Sequence, residues 1–348
     1  MGFVCRDESE ALVLDTRHIA NIYDKIIDDN SKEIFENRLL YSLTDNERHI
    51  ADIVRGTEAG KELLGHLSGE YVIYGAGRRG MDLLNLCLDV RPQAYIDIKG
   101  GTDIDGIPVM MPDEYKYHNG TKIIISLRCG GEEVKKQLES RGIPEECIIL
   151  FQDYWHKAQE NIYFEPAYSE YISRALKRGA FLDVGSYDGK DSLRAQSFLG
   201  EGIDIYAFEP DRENAKRCLE NLLNMKRVHF YEKGVSDRCG TTGMNASGEA
   251  SRLSDEGDFM IETDTIDRII GTAPVGYIKM DIEGSEEAAL IGAASTIIRC
   301  KPVLAISIYH KRSDIYNIPM RILSINPQYV FALGHYTTNW GDTVLYAF

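Results

Sequence analysis

Two strand ends in this chain carry residues suited to chemistry. Residues 180–189 read AFLDVGSYDG, an apolar run that stops at Asp183 and turns through Gly185 and Gly189, with Ser186, Tyr187 and Asp188 between them. The next apolar run ends in FEP and places Glu209 26 residues beyond Asp183. Acids beside the glycines repel a pyrophosphate, while a carboxylate at the second strand end can hold two vicinal ribose hydroxyls. The ligand that suits this loop has a ribose, no phosphate and positive charge. S-adenosylmethionine, with an ammonium and a sulfonium, is such a ligand.

Farther on, KMDIEGSE offers Asp281 and Glu283, and SIYH offers His310. Transfer of a methyl group from a sulfonium is an in-line displacement, so most of the catalysis is alignment. A hydroxyl acceptor must also lose its proton. An imidazole tuned near neutral pH makes His310 the expected general base, with Asp281 orienting it or touching the cofactor and Glu283 binding substrate hydroxyls. Oxygen-rich ligands would suit a metal on Asp281, Glu283 and a histidine, but no tight ligand spacing supports one and none is expected. His335 and Tyr336 stand at a later strand end as further candidates. Lys311, Arg312 and Arg252 are placed to meet an anionic group on the acceptor, the alternative for all three being a solvated surface.

An earlier loop, GAGRRG, fits G-x-G-x-x-G between a strand and a helix through Gly75, Gly77 and Gly80. Asp97 lies 22 residues beyond Gly75, where a ribose-binding acid would sit. With two arginines and no acid, this loop is furnished for a phosphate, so a nucleotide in this part of the chain is the expectation. The alternative is that the glycines only let strand and helix pack closely.

These loops need elements to position them. At 348 residues the chain exceeds one ordinary domain. Residues 1–67 read as helical from about residue 8, with Asn30, Thr44 and Thr57 where N-caps would stand. Their apolar faces must cover the next domain or a second copy of the chain, a homodimer. Residues 68–156 alternate short β-rich runs with helical ones, and after a Tyr-rich linker around 152–168 the alternation begins again over 157–348. Alternation of this kind predicts α/β architecture, two doubly wound Rossmann-like domains, the second closed by an antiparallel pair around TTNWGD. Residues 239–258 read as a polar excursion.

Composition narrows the partners. Lys and Arg total 39 against 55 Asp and Glu, a formal charge of −16 that repels nucleic acid and anionic lipid. No apolar run approaches the roughly 20 residues that cross a bilayer, and MGFVCRDESE suits neither a signal peptide nor a myristoylation signal. The seven scattered cysteines, with no C-x-x-C, point to reduced thiols and a cytoplasmic protein.

In order, FLDVGSYDGKDSL, YAFEPDRENAKRCLENL, GVSD, TIDRI, YIKMDIEGSEEAALIGA, ISIYHKRSDIYNIP and GHYTTNWGDTVLYA resemble the FkbM-type S-adenosylmethionine-dependent methyltransferases over about residues 165–348. The resemblance implies a seven-stranded class I methyltransferase sheet. It also implies that Asp183, Gly185 and Gly189 shape the pocket of the methionine part, with Ser192 opening the helix behind. Ser186 and Tyr187 belong to the same loop; Glu209 would hold the ribose hydroxyls, with Ser236 and Asp237 beside the adenine. A sugar or other polyhydroxylated metabolite as acceptor is implied by resemblance alone. Residues 71–151 are more weakly similar to a small nucleotide-binding domain found beside sugar-modifying enzymes. That leaves a nucleotide-linked oxidoreductase acting through GAGRRG, or a module that captures a nucleotide-sugar or an assembly partner, as the other functional classes.

Overall fold

The computed structural model describes residues 16–67, 69–87, 90–199, 202–245, 252–253 and 259–348, without the side chains of 199, 252 and 253. The helical reading of residues 8–15 lies outside these residues, as does much of the 239–258 excursion. Four helices come first, Thr16–Asp24, Asp29–Thr44, Arg48–Gly56 and Glu58–His66. Thr57 caps the fourth, accepting from Gly60 N–H at 3.0 Å. The second helix is capped by Asp28 and not by Asn30, the Asp28 carboxylate accepting from Ser31 N–H at 2.8 Å. An ionised acceptor two residues earlier suits the positive helix end better than an amide. Thr44 belongs to the end of that helix and returns its hydroxyl to Leu40 O at 2.7 Å.

The first sheet holds six strands in the order Asp103–Ile104, Ile107–Met110, Tyr95–Ile96, Tyr71–Tyr74, Lys122–Ile125 and Ile148–Leu150, parallel except at the Asp103–Ile104 edge. The large sheet has the seven strands expected. Their order is Phe331–His335, Thr343–Ala347, Val303–Ser307, Val275–Met280, Ala180–Val184, Ile205–Phe208 and Val228–Tyr231. Thr343–Ala347 runs antiparallel to both neighbours, and the other contacts between strands are parallel. Its central strands are buried along their whole length, as parallel strands covered on both faces must be.

The sequence did not announce a third, four-stranded sheet of Gly234–Val235, Phe259–Asp264, Gly240–Asn245 and Arg252–Leu253. GTTGMN, at its centre, has too few β-branched and apolar residues to read as a strand. After the strand Val275–Met280 come two short helices, Glu286–Ile291 and Ala294–Cys300. They break at Gly292, where a Cβ would lie 2.1 Å from Ser236 O.

The N-terminal helices cover both sheets. Phe331 N–H donates to Lys25 O at 2.8 Å and Ile27 N–H to Phe331 O at 2.9 Å, so the chain before the second helix runs along the edge of the large sheet. Ile50, Val54 and Leu63 share one hydrophobic core with Tyr71 and Leu83 of the first unit and with Ile278 and Phe331 of the second. Among the described residues, no helix is long and apolar enough to cross a membrane.

Candidate active site

Parallel pairing sets Asp183 directly beside Lys279 and Val184 beside Met280, so the two strands end level and their loops meet. Gly185 is where they touch. Its φ is +82°, and a Cβ there would lie 1.9 Å from Asp281 O. Only glycine fits, on conformation and on space.

Asp183 is completely buried and committed to its surroundings. Lys279 Nζ donates to its Oδ1 at 3.2 Å and Ser192 Oγ to its Oδ2 at 2.6 Å. Ser192 sits inside the helix Lys190–Leu199, so it fastens the helix to Asp183 where the resemblance had it opening the helix. Lys279 also donates to Gly185 O at 2.6 Å and lies 3.4 Å from Asp191. Burial lifts the Asp191 carboxyl to about 6 against the pull of Lys279. Asp188 pairs with the Lys190 ammonium at 2.6 Å and accepts from Lys190 N–H at 3.2 Å, a capped, partly solvated turn. Both acids of the loop are therefore neutralised by lysines, and its geometry rather than its charge is what distinguishes it.

Ser186 Oγ donates to Asp183 O and Phe208 O, both at 3.1 Å, and ties the first two strand ends together. Tyr187, at φ +48°, offers its N–H to Glu209 Oε2 at 2.9 Å. The other oxygen of Glu209 accepts from Asp211 N–H at 2.9 Å. A carboxylate has about four acceptor positions, so two remain for hydroxyls. Burial raises the Glu209 pKa, and the two amides oppose it. Gly189 has φ +76°, with Cys218 and Leu222 about to touch any Cβ. Ser236 and Asp237 follow a strand of the small sheet, where Ser236 N–H donates to Asp264 O at 3.0 Å and Asp237 is exposed.

The next two strand ends bring together Asp281, Glu283 and His310, and add Glu286. His310 Nε2 lies 3.3 Å from Asp281 Oδ1 and 3.5 Å from Glu283 Oε2, while Nδ1 lies 3.0 Å from Glu286 Oε1. Tyr163 donates to Asp281 Oδ2 at 2.7 Å and Tyr309 to Oδ1 at 3.3 Å. Burial alone would lower the His310 pKa, but Glu286, Glu283 and Asp281 together hold it well above its ordinary value. An imidazole tuned near neutrality is thus not what the fold provides. Burial works against ionisation of Asp281, yet His310, Lys279 and Tyr163 bring its pKa below the ordinary value.

Sequence reading missed Lys279, Glu286, Tyr163 and Tyr309. A lysine inside the apolar run VGYIKM was the legible signal for the first, and the Tyr-rich segment read as a linker held Tyr163.

His335 and Tyr336 do not join this group. His335 is buried, bonds Thr343 Oγ1 through Nδ1 at 2.8 Å, and is pushed down to about 3 by burial. Tyr336 bonds Glu165 and Tyr346 at 2.8 and 2.7 Å. Arg312 pairs with Asp45 at 2.7 Å, Lys311 reaches over Gly284, and the Arg252 side chain lies outside the described residues.

In GAGRRG, both arginines are turned to protein partners. Arg78 binds Asp82 and Glu47 at 2.8 and 2.7 Å; Arg79 lies over the Trp155 ring at 4.9 Å. Asp97 accepts from Ala76 N–H and Lys99 N–H, both at 2.9 Å, closing the loop on itself. A Cβ on Gly80 would lie 2.2 Å from Gly75 O, so close strand–helix packing accounts for two of the glycines, and Gly77 precedes the helix. A cavity of about 210 Å³ does exist in this unit, lined by Tyr74, Ile96, Tyr115, Tyr117, Gln137 and Arg141.

Residues 183–331 match the family described as the methyltransferase FkbM domain. This part of the chain is similar to the methyltransferase FkbM domain. The matched segment of the FkbM domain starts at Asp183 and takes in the glycine loop, Glu209 and the acid–histidine cluster, while His335 and Tyr336 fall beyond it. The chain is 28% identical over 178 residues to the 2-O-methyltransferase NoeI of Sinorhizobium fredii (strain NBRC 101917 / NGR234), covering 42% of this chain and 71% of that protein. The crystal structure of an FkbM methyltransferase from Methylobacillus flagellatus KT aligns with a TM-score of 0.46 at 21% identity, over 88% of this chain and 100% of that one. Fibrillarin of Aeropyrum pernix, solved with S-adenosyl-L-methionine bound, aligns with a TM-score of 0.32 at 11% identity, over 49% of this chain and 66% of that one.

Proposed function

We propose that the chain is an S-adenosylmethionine-dependent O-methyltransferase whose acceptor is a hydroxyl of a sugar or other polyhydroxylated small molecule. The observation that carries this reading is the contact of Gly185 with Asp281, which puts the nucleoside loop and the acid–histidine cluster on adjoining strand ends. Methyl transfer itself follows from the similarity to the FkbM domain. The hydroxyl acceptor draws on the name of the relative NoeI, a 2-O-methyltransferase.

In this reading the cofactor supplies an electrophilic methyl group. Glu209 holds the ribose hydroxyls with its two remaining acceptor positions, and the Asp183–Lys279–Ser192 lock keeps the loop around Gly185 in shape. The acceptor lies over Asp281, Glu283 and His310. Bound there, its hydroxyl oxygen would face the methyl group that the cofactor would supply, and the proton would pass to the acid–histidine cluster through the carboxylates of Asp281 and Glu283. Alignment over the short gap between the two loops supplies most of the acceleration.

The test is calorimetric binding of S-adenosylmethionine to the full chain, followed by transfer of labelled methyl to a panel of saccharides. Binding that Glu209→Ala largely removes, with label on oxygen, supports the reading. Unchanged affinity in that variant, or label only on nitrogen or carbon, overturns it.

A further inference from the structure

Two loops converge on one point of the site, the turn that carries Asp281 and Glu286 and the loop that carries His310. Asp281 follows the strand Val275–Met280, Glu286 opens the helix Glu286–Ile291, and His310 comes shortly after Val303–Ser307. Each offers one donor atom, and the three atoms lie within 4.8 Å of one another. Glu286 is wholly buried, and the His310 side chain is 7% exposed.

Their hydrogen bonding is incomplete. Glu286 Oε1 accepts from Ile282 N–H at 2.9 Å and Gly284 N–H at 3.4 Å, which holds the turn, but Oε2 has no hydrogen-bond partner. Both His310 ring nitrogens stand within 3.5 Å of carboxylate oxygens, yet neither meets one along a hydrogen-bond direction. A buried carboxylate oxygen with no partner, and a buried imidazole whose two nitrogens make no aligned hydrogen bond, are costly unless another group satisfies them. The turn carrying the acids is itself strained at Glu283, which holds a left-handed backbone with φ +55°. Strain of this kind persists where surrounding structure enforces a functional geometry. Of the basic side chains at this edge, Lys279 is committed to Asp183 and Gly185 O, Arg38 to Trp340 O and Arg312 to Asp45, while Lys311 lies over Gly284.

We propose that Asp281, Glu286 and His310 bind a divalent first-row transition-metal ion, with Glu283 at the open side. One imidazole nitrogen among carboxylate oxygens suits manganese or zinc better than magnesium or calcium, which prefer oxygen alone. Three protein ligands leave positions for a pair of vicinal hydroxyls. On the methyl-transfer reading, the ion would orient the acceptor and acidify the hydroxyl that attacks.

The experiment uses the full chain, stripped with chelator, dialysed and titrated with Mn²⁺, free ion being read by electron paramagnetic resonance. The expected result is one bound Mn²⁺ per chain, with affinity lowered at least roughly tenfold in Glu286→Gln and His310→Gln, the loss that even an outer partner of a metal ligand produces. Glu287→Gln, whose side chain pairs with Arg321, should bind as the parent does. Circular dichroism confirms that each variant is folded, and Asp281→Asn replaces any that is not. No binding by the parent protein, or equal binding by the ligand variants, overturns the proposal. S-adenosylmethionine binding, measured separately in chelator, keeps the two readings apart. Cofactor bound without Mn²⁺ removes only the metal site, and Mn²⁺ bound without cofactor removes only the methyl-transfer reading.

Discussion

Lys279 Nζ stands 3.2 Å from Asp183 Oδ1 on the neighbouring strand, both side chains sealed from solvent. Lys279 also lies 5.1 Å above the Tyr163 ring and donates to Gly185 O, so one ammonium joins the glycine loop, the second strand end and the Tyr163 support of Asp281. Removing one partner leaves a buried charge uncompensated. Lys279→Ala should lower unfolding free energy by about 3–5 kcal/mol in urea titrations. Asp183→Asn combined with Lys279→Met should cost less than the sum of the single changes. Additive losses would mean that the two side chains do not act as a pair.

Gly185→Ala tests the contact between the two loops. A methyl group would have to displace Asp281 O from 1.9 Å while the backbone keeps φ +82°. Overpacking plus a left-handed backbone should cost about 1–3 kcal/mol or more, and S-adenosylmethionine binding should fall with it. Gly77→Ala is the contrast, since nothing lies within 4 Å of a Cβ there and its φ is −84°. Its cost at the helix start should stay near or below about 1 kcal/mol. Equal effects in the two variants would undo the steric argument.

His335 supplies a pH dependence whose sign is fixed. Burial holds its folded pKa near 3, against an ordinary 6.5. The unfolded chain therefore takes up a proton that the folded chain refuses. The stability associated with the neutral imidazole is present above pH 6.5 and is lost as pH falls toward 3, at up to about 1.4 kcal/mol per unit. Urea midpoints of the parent and of His335→Gln should converge over that window as pH falls. A constant difference between them would place the His335 titration at its ordinary value.

Much of this was legible in the chain. Largely apolar runs such as YVIY and AFLDV pointed to the two mainly parallel sheets, because strands covered on both faces carry no alternation of apolar and polar residues. Asp183, Glu209, Asp281 and His310 were found as residues at strand ends, where parallel sheets gather their ligands. What stayed hidden depended on register and on distant partners. That Asp183 is spent on Lys279 follows from a pairing of strands 96 residues apart, and no local pattern encodes it. Similarly, Arg78 and Arg79 promised a phosphate site until Glu47, Asp82 and Trp155 were seen to hold them. Glu286 faces His310 only because two loops meet, which no local pattern encodes.

His310 is the last test, because positioning and catalysis separate in its kinetics. If His310 holds in place the carboxylates of Asp281 and Glu283 that take the proton of the acceptor, His310→Ala should lower kcat by up to about 10²–10⁴-fold, the usual worth of proton transfer to a placed group. Affinity for S-adenosylmethionine, held on the other side of Gly185 by Glu209, should change little. Tyr309→Phe, which removes only a hydroxyl 3.3 Å from Asp281 Oδ1, should have the smaller effect on kcat. Steady-state kinetics alongside direct cofactor binding separates the quantities, since KM alone mixes them. Parallel losses in kcat and cofactor affinity would make His310 a structural part of the turn at residues 281–286, with the proton acceptor elsewhere.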